Sequence, residues 1–124
     1  MTANEFLEYI HYFSSQKYDD YYTDDIVLQL PTKDLIGKPA VKDFYGQMNR
    51  YIHETIRVRK VLAEGDGLIA HIVSDFYCVQ DWAEFHVKPM KQGEMHRIEL
   101  LVLYKIREGK FCRIRAGRLK PWTA

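Results

Sequence analysis

Arginine and tyrosine, rather than any paired acid and base, are the residue types whose placement in this chain could do chemistry. Cys112, Ile114, Ala116 and Arg118 share one side of an alternating stretch, so a guanidinium closes an otherwise apolar face. In a low dielectric that fork of donors suits a carboxylate, a phenolate or an enolate. The competing reading is a rim salt bridge with an acidic helix residue, because an inward arginine must find some anion. Tyr9, Tyr12, Tyr45 and Tyr104 can each donate to a ligand oxygen, although an aromatic stripe at helical spacing is ordinarily core. Ser74 faces the apolar side of its strand, where a hydroxyl orients a ligand or bonds a backbone carbonyl. His71 and Asp75 lie four residues apart on one strand face, which suggests a dyad, but two strand positions already separate side chains by about 7 Å. That face also reads as outward. His11, His86 and His96 show no metal spacing, so neither a metal site nor a cofactor is expected.

Charge and composition narrow the partners. The 18 Lys plus Arg against 17 Asp plus Glu leave a formal charge of +1, too little for an electrostatic nucleic-acid binder. Arg57, Arg59, Lys60, Arg113 and Arg115 read as a solvated or interfacial face. Cys78 and Cys112 stand far apart, as buried free thiols rather than a disulfide framework. No apolar run approaches the roughly 20 residues of a membrane helix, and Met1 to Ile10 is acidic, unlike a signal peptide. A cytoplasmic protein with no membrane partner is the expectation. At 124 residues and 47% hydrophobic, the chain is expected to make one domain over residues 1–124.

Periodicity assigns the elements that must position these residues. Thr2 and Glu5 have capping-box spacing, and Phe6, Tyr9, Ile10 and Phe13 follow on one helical face. Tyr18, Tyr21 and Tyr22 continue at helical spacing before Asp24 and Asp25, and Ile26 to Leu30 reads as a strand stopped by Pro31. Gly37 and Pro39 start a helix that carries Val41, Phe44, Tyr45, Met48 and Ile52. From Glu54 the period alternates, and turns at Gly65-Asp66-Gly67, Lys91-Gln92-Gly93 and Glu108-Gly109 cut four antiparallel strands: Thr55 to Ala63, Leu68 to Val79, Glu94 to Arg107 and Lys110 to Leu119. Helices first and sheet last is the order of an α+β domain. One sheet face collects Leu68, Ala70, Ile72, Ser74, Phe76 and Cys78 with Ile98, Leu100, Val102, Tyr104 and Ile106. The other mixes Val73, Tyr77, Leu101 and Leu103 with charges, which suits a homodimer interface, and alternation along the last strand sets Phe111, Arg113 and Arg115 opposite Cys112, Ile114, Ala116 and Arg118. Gln80 to Gln92, with Trp82, Phe85, Val87 and Met90, is too apolar to be a merely solvated connection and reads as a covering loop.

The order of these pieces carries a resemblance. Tyr22-Thr-Asp-Asp-Ile-Val, then Leu35-Ile-Gly-Lys-Pro-Ala-Val-Lys-Asp-Phe-Tyr45, Val61-Leu-Ala-Glu-Gly-Asp66 and Val102-Leu-Tyr-Lys-Ile-Arg-Glu-Gly-Lys-Phe111, resembles the SnoaL-like branch of the nuclear transport factor 2-like superfamily. The resemblance implies a cone-shaped, curved antiparallel sheet wrapped around three N-terminal helices with a deep, mostly apolar pocket. It does not hand over a function. Ketosteroid isomerases of this superfamily place a base where Leu30 stands here and a second acid where Val102 stands, so both acids are absent. Dehydratases of the fold use a histidine where Tyr51-Ile-His-Glu-Thr-Ile-Arg57 puts Arg57, which cannot act as a general base.

Together these readings give a pocket for a small apolar or aromatic oxygen-bearing compound, with Arg118 as its dominant charge and a preference for anionic or strongly polarised ligands. Arg118, Tyr9, Tyr12, Tyr45, Trp82 and Tyr104 are its expected ligand-binding residues. Ile72, Ser74, Phe76, Val102 and Ile114 complete the set. The catalytic version is an isomerase, cyclase or hydrolyase acting on a polyketide- or terpenoid-like carbonyl compound, for which no base stands out. The rival is a non-catalytic ligand-binding or dimerisation module. A carboxylate or neutral histidine near the pocket's centre would separate the two.

Overall fold

The computed structural model describes residues 1–13 and 17–120. Helix α1, Ala3–His11, starts on the expected capping box: the Glu5 N–H donates to Thr2 Oγ1 and the Thr2 N–H to Glu5 Oε1, each at 3.2 Å. Its buried face is Phe6 and Tyr9. A single turn, α2 (Tyr18–Tyr21), leads directly into β1 (Tyr22–Gln29). Tyr22 therefore begins a strand instead of ending the helix, because it pairs with Phe111 on the last strand of the sheet. After β2 (Asp34–Ile36), Gly37 at φ 89° supplies a conformation that side chains resist, and Pro39 sits in the first turn of α3, Lys38–Tyr51.

Strands β3 (Ile52–Glu64), β4 (Gly67–Cys78), β5 (Met95–Arg107) and β6 (Lys110–Leu119) follow, so Ile52 opens β3 rather than closing the helix. The sheet order is β2-β1-β6-β5-β4-β3. Every neighbouring pair is antiparallel except β1 with β6, which run parallel because β1 returns from the helices beside the last strand.

Two apolar clusters fill the concave side. One packs α1 against the sheet through aromatic edges, with Phe6 to Tyr104 at 5.0 Å, Tyr9 to Phe111 at 4.8 Å and Tyr104 to Phe111 at 4.9 Å between ring centroids. The other joins Met48, Ile52, Phe76 and Cys78 to Trp82, Phe85 and Met90 of the loop over residues 80–92. That loop is tied by reciprocal backbone bonds between Trp82 and Met90, of 2.8 and 3.0 Å. The Trp82 ring stacks on Tyr51 at 4.8 Å and on Phe85 at 5.2 Å. No helix among the described residues is long and apolar enough to cross a membrane.

Three placements differ from strict alternation. Lys105 pairs with Arg113 but Ile106 with Phe111, so Cys112 is an extra residue that bulges β6. The bulge reverses the phase and turns Phe111 inward, fully buried, while leaving Cys112 partly exposed; Cys78 alone is a buried thiol. Val73, although on the outer face, is 4% exposed between its register neighbours Arg57 and Glu99, whose long side chains flank it.

The bulge makes a direct prediction. Phe111→Ala should cost about 3–5 kcal/mol as a buried aromatic truncation, whereas Arg113→Ala should stay within about 0.5 kcal/mol. Urea unfolding of the two variants measures the difference, and equal costs would contradict the inward placement of Phe111.

Candidate functional site

The space between the helices and the sheet that side chains do not fill is a cavity of about 140 Å³. Its walls come from α1 (Tyr9, Ile10), the end of β1 (Leu28, Leu30), α3 (Phe44, Tyr45, Met48), the inner faces of β3 to β6, and His86 and Val87 of the 80–92 loop. Among the expected ligand-binding residues, Tyr9, Tyr45, Ile72, Phe76, Val102, Tyr104, Ile114 and Arg118 line it. Three do not. Tyr12 lies 40% exposed beyond the end of α1, Trp82 is packed into the loop cluster, and Ser74 is fully buried inside the sheet's inner layer.

Glu54, which is not among the expected ligand-binding residues, also lines the cavity; it is partly exposed and borders a neighbouring groove as well. Its position follows from β3: Ile52, Glu54, Ile56 and Val58 fall on one face, and the register sets Glu54 opposite Phe76 and Ile56 opposite Ser74 on the inner face of β4. That alternation is present in the sequence, but a strand beginning at Thr55 starts one residue too late to include the carboxyl. Burial raises Glu54 from its ordinary 4.5 to about 7, because charging a carboxyl away from water is costly. The Ser74 hydroxyl lies near enough to oppose the shift slightly, yet it makes no hydrogen bond of ordinary geometry. No ion pair joins Glu54 to a cation among the described residues.

His86 is the second group that the expectation of a baseless pocket missed. Burial first, and the Lys33 ammonium second, lower it to about 4, so the imidazole in the wall is neutral at neutral pH. Its ring packs on Phe44 at 5.2 Å and Phe85 at 5.0 Å, and Nδ1 is buried with no partner among the described residues. The phenols are held protonated. Burial raises Tyr9, Tyr45 and Tyr104, and Tyr9 shares a 2.6 Å hydrogen bond with Tyr22, itself raised by burial.

Arg118 has the orientation expected of it and shares the cavity wall with Glu54. It lines the cavity from an exposed position at the end of β6, opposite Leu100, and donates to His96 Nε2 at 3.4 Å. The cavity wall thus carries two ionisable groups of opposite type, the Glu54 carboxyl and, at the rim, the Arg118 guanidinium. His71 and Asp75 do not meet: His71 Nε2 bonds Glu99 at 2.6 Å, and Asp75 accepts from Arg97 at 2.6 Å and Arg57 at 3.0 Å. Those partners, Arg97 foremost, hold the Asp75 carboxyl below its usual range. Leu30 and Val102, the apolar residues at which the resemblance would lead one to expect acids, both line the cavity. No cluster of three or more metal-ligating side chains occurs among the described residues.

A SnoaL-like domain family matches residues 3–114. No curated protein matches the chain. Among solved structures, a SnoaL-like polyketide cyclase from Agrobacterium tumefaciens is 17% identical over 97% of this chain and 93% of its own, with a TM-score of 0.72. A protein with a ketosteroid isomerase-like fold from Catenulispora acidiphila, in complex with trimethylamine, is 8% identical over 94% of this chain and 86% of its own, with a TM-score of 0.73. An LEH-like epoxide hydrolase from Mycobacterium tuberculosis is 8% identical over 94% and 80%, with a TM-score of 0.72. At these identities the likeness establishes the fold, a curved, unclosed sheet around helices.

The carboxyl's raised affinity for a proton has a consequence for stability. The folded state holds a proton on Glu54 that the unfolded state releases between about pH 4.5 and 7, so this residue's contribution falls as pH rises through that window and stays low above it. Glu54→Gln should therefore gain up to about 3 kcal/mol relative to wild type between pH 4 and pH 8. Parallel denaturant titrations at the two pH values read it, and a pH-independent difference would show that the carboxyl is not desolvated.

Proposed function

The chain belongs to the SnoaL-like domain family, and on that premise we propose that its cavity binds a small apolar or aromatic compound bearing an oxygen function and moves a proton on it. The activity is that of an isomerase, cyclase or hydrolyase of polyketide- or terpenoid-like carbonyl compounds. One observation carries this reading: Glu54 stands in an apolar cavity wall with its carboxyl held at about 7, where it gives and takes a proton at neutral pH. Tyr45 and Tyr104, kept protonated by burial, serve as donors to oxygen in the same wall. Arg118 at the rim serves a negatively polarised group. At about 140 Å³ the cavity suits a compound with one ring, since an apolar cavity of about 150 Å³ takes up benzene.

A second reading, a non-catalytic ligand-binding or dimerisation module, is favoured by the geometry around Glu54. The Ser74 hydroxyl beside it falls short of a hydrogen bond, so among the described residues its carboxyl lacks the orienting partner that a base ordinarily has. On either reading we propose a homodimer through the outer sheet face. Ile69, Tyr77, Leu101 and Leu103 are each more than 40% exposed there, beside the His71–Glu99 and Asp75–Arg97 pairs. A cytoplasmic setting suits the two free thiols.

Two experiments test these proposals. Deuterium exchange alpha to the carbonyl of a bound cyclic ketone, followed by NMR, should slow about 10²- to 10⁴-fold in Glu54→Gln. Binding without exchange in wild type would select the non-catalytic module. Sedimentation should report about twice 14.7 kDa, with Leu103→Asp shifting the mass towards one chain; a monomeric wild type at micromolar concentration would remove the dimer.

A further inference from the structure

We propose that the cavity is selective for small organic ammonium compounds that also carry an oxygen function, the cation being held against Glu54 by surrounding aromatic rings. The proposal rests on the reading of the cavity as the ligand site and names the chemical class that fits it. Glu54 is partly exposed, yet its carboxyl stands in a wall lined mostly by apolar and aromatic side chains, where a proton or a cation favours it over a bare charge. Below about pH 7 Glu54 has the proton. Above it, no lysine, arginine or histidine among the described residues pairs with Glu54. Its shift comes from burial and the Ser74 hydroxyl alone, so Arg118 and Lys33 do not supply the missing charge. A ligand cation would.

The walls are of the kind that receives one. Phe13, Phe44, Tyr45, Phe76 and Tyr104 line the cavity. Tyr45 meets the edges of Phe13 and Phe44 at 84° and 70°, each 5.2 Å away, so the rings present faces in different directions. Ring faces attract a desolvated ammonium, and quaternary ammonium groups most characteristically. Phe44 already draws the Lys33 ammonium to 5.2 Å from its centroid. His86 is neutral and does not repel a cation. A bound cation would in turn favour the ionised form of Glu54, the form a proton-accepting role needs at neutral pH.

Choline and its neutral carbon isostere, 3,3-dimethylbutan-1-ol, make the test, because they differ in charge and little in shape. Tyr45 from α3 and Tyr22 and Tyr104 from the sheet interact electrostatically with Glu54, and the other titratable or charged groups of the cavity wall are Tyr9 from α1, His86 from the loop and Arg118 from β6. The phenols stay neutral, His86 stays neutral and Arg118 stays cationic between pH 5.5 and 8, so within the cavity the titration belongs to Glu54. His11 and His53 border a groove on its other side and are removed together by substitution with Gln as a control.

Calorimetric titration at pH 8 should show choline binding at least tenfold tighter than the alcohol. The advantage should shrink at pH 5.5, vanish in Glu54→Gln and survive in the His11→Gln/His53→Gln variant. Equal binding of the two at pH 8, failure of choline to bind, or a preference for choline that persists in Glu54→Gln would each overturn the proposal. A parallel titration with cyclohexanone separates the two readings. If the ketone binds where choline does not, the ammonium inference fails and the oxygen-ligand site stands; if neither binds, both fail.

Discussion

Folding this chain sets one partly exposed carboxyl into an apolar cavity wall, with no cation paired to it among the described residues. The cause is local and geometric. Ile52, Ile56 and Val58 must face the core from β3, strand alternation then turns Glu54 the same way, and the register with β4 fixes it opposite Phe76. Slipping the strand by one residue would bring Glu54 outside only by exposing the three aliphatic side chains. Burying those outweighs desolvating a carboxyl that is free to keep its proton. The site is thus bound up with the core: what holds β3 in register also holds the acid in the wall.

The aromatic packing decides how much of the concavity remains open. Phe6, Tyr9, Tyr22, Tyr104 and Phe111 fill one end, locked by the buried Tyr9–Tyr22 hydrogen bond. Phe111 takes part only because the bulge at Cys112 reverses its phase. At the other end Trp82, Phe85 and Met90 fold back over α3 and β4, placing His86 and Val87 in the wall. What is left between these plugs is small, apolar and bordered by phenols held as donors. The acid is supplied from β3, not from the positions of Leu30 and Val102, so the fold keeps its cavity while its charge enters from another strand.

Much of this was legible in the residues. The capping box, the Gly37-Pro39 helix start, the four long strands and the inner face of β4 followed from spacing alone. The covering role of residues 80–92 followed from its apolar content. The misses share a physical cause, which is that a one-residue error in phase inverts every assignment beyond it. Starting β3 at Thr55 hid Glu54, and continuous alternation through β6 put Phe111 outside, since no sequence feature marks Cys112 as a bulge. Tyr12 and Trp82 looked like pocket residues by type, but helix termination and ring stacking took them elsewhere. Arg118 lies on the face that alternation along β6 gives it, but that alternation says nothing of Glu54, which enters the same wall from β3.

The account turns on the ionisation of one side chain. A ¹³C NMR titration of the Glu54 side-chain carboxyl, assigned by its loss in Glu54→Gln, measures that directly in the ligand-free protein. The midpoint should lie at about 7. A midpoint in the ordinary glutamate range, near about 4.3, would show the carboxyl to be hydrated and would contradict both its enclosure in the cavity wall and the proton chemistry built on it.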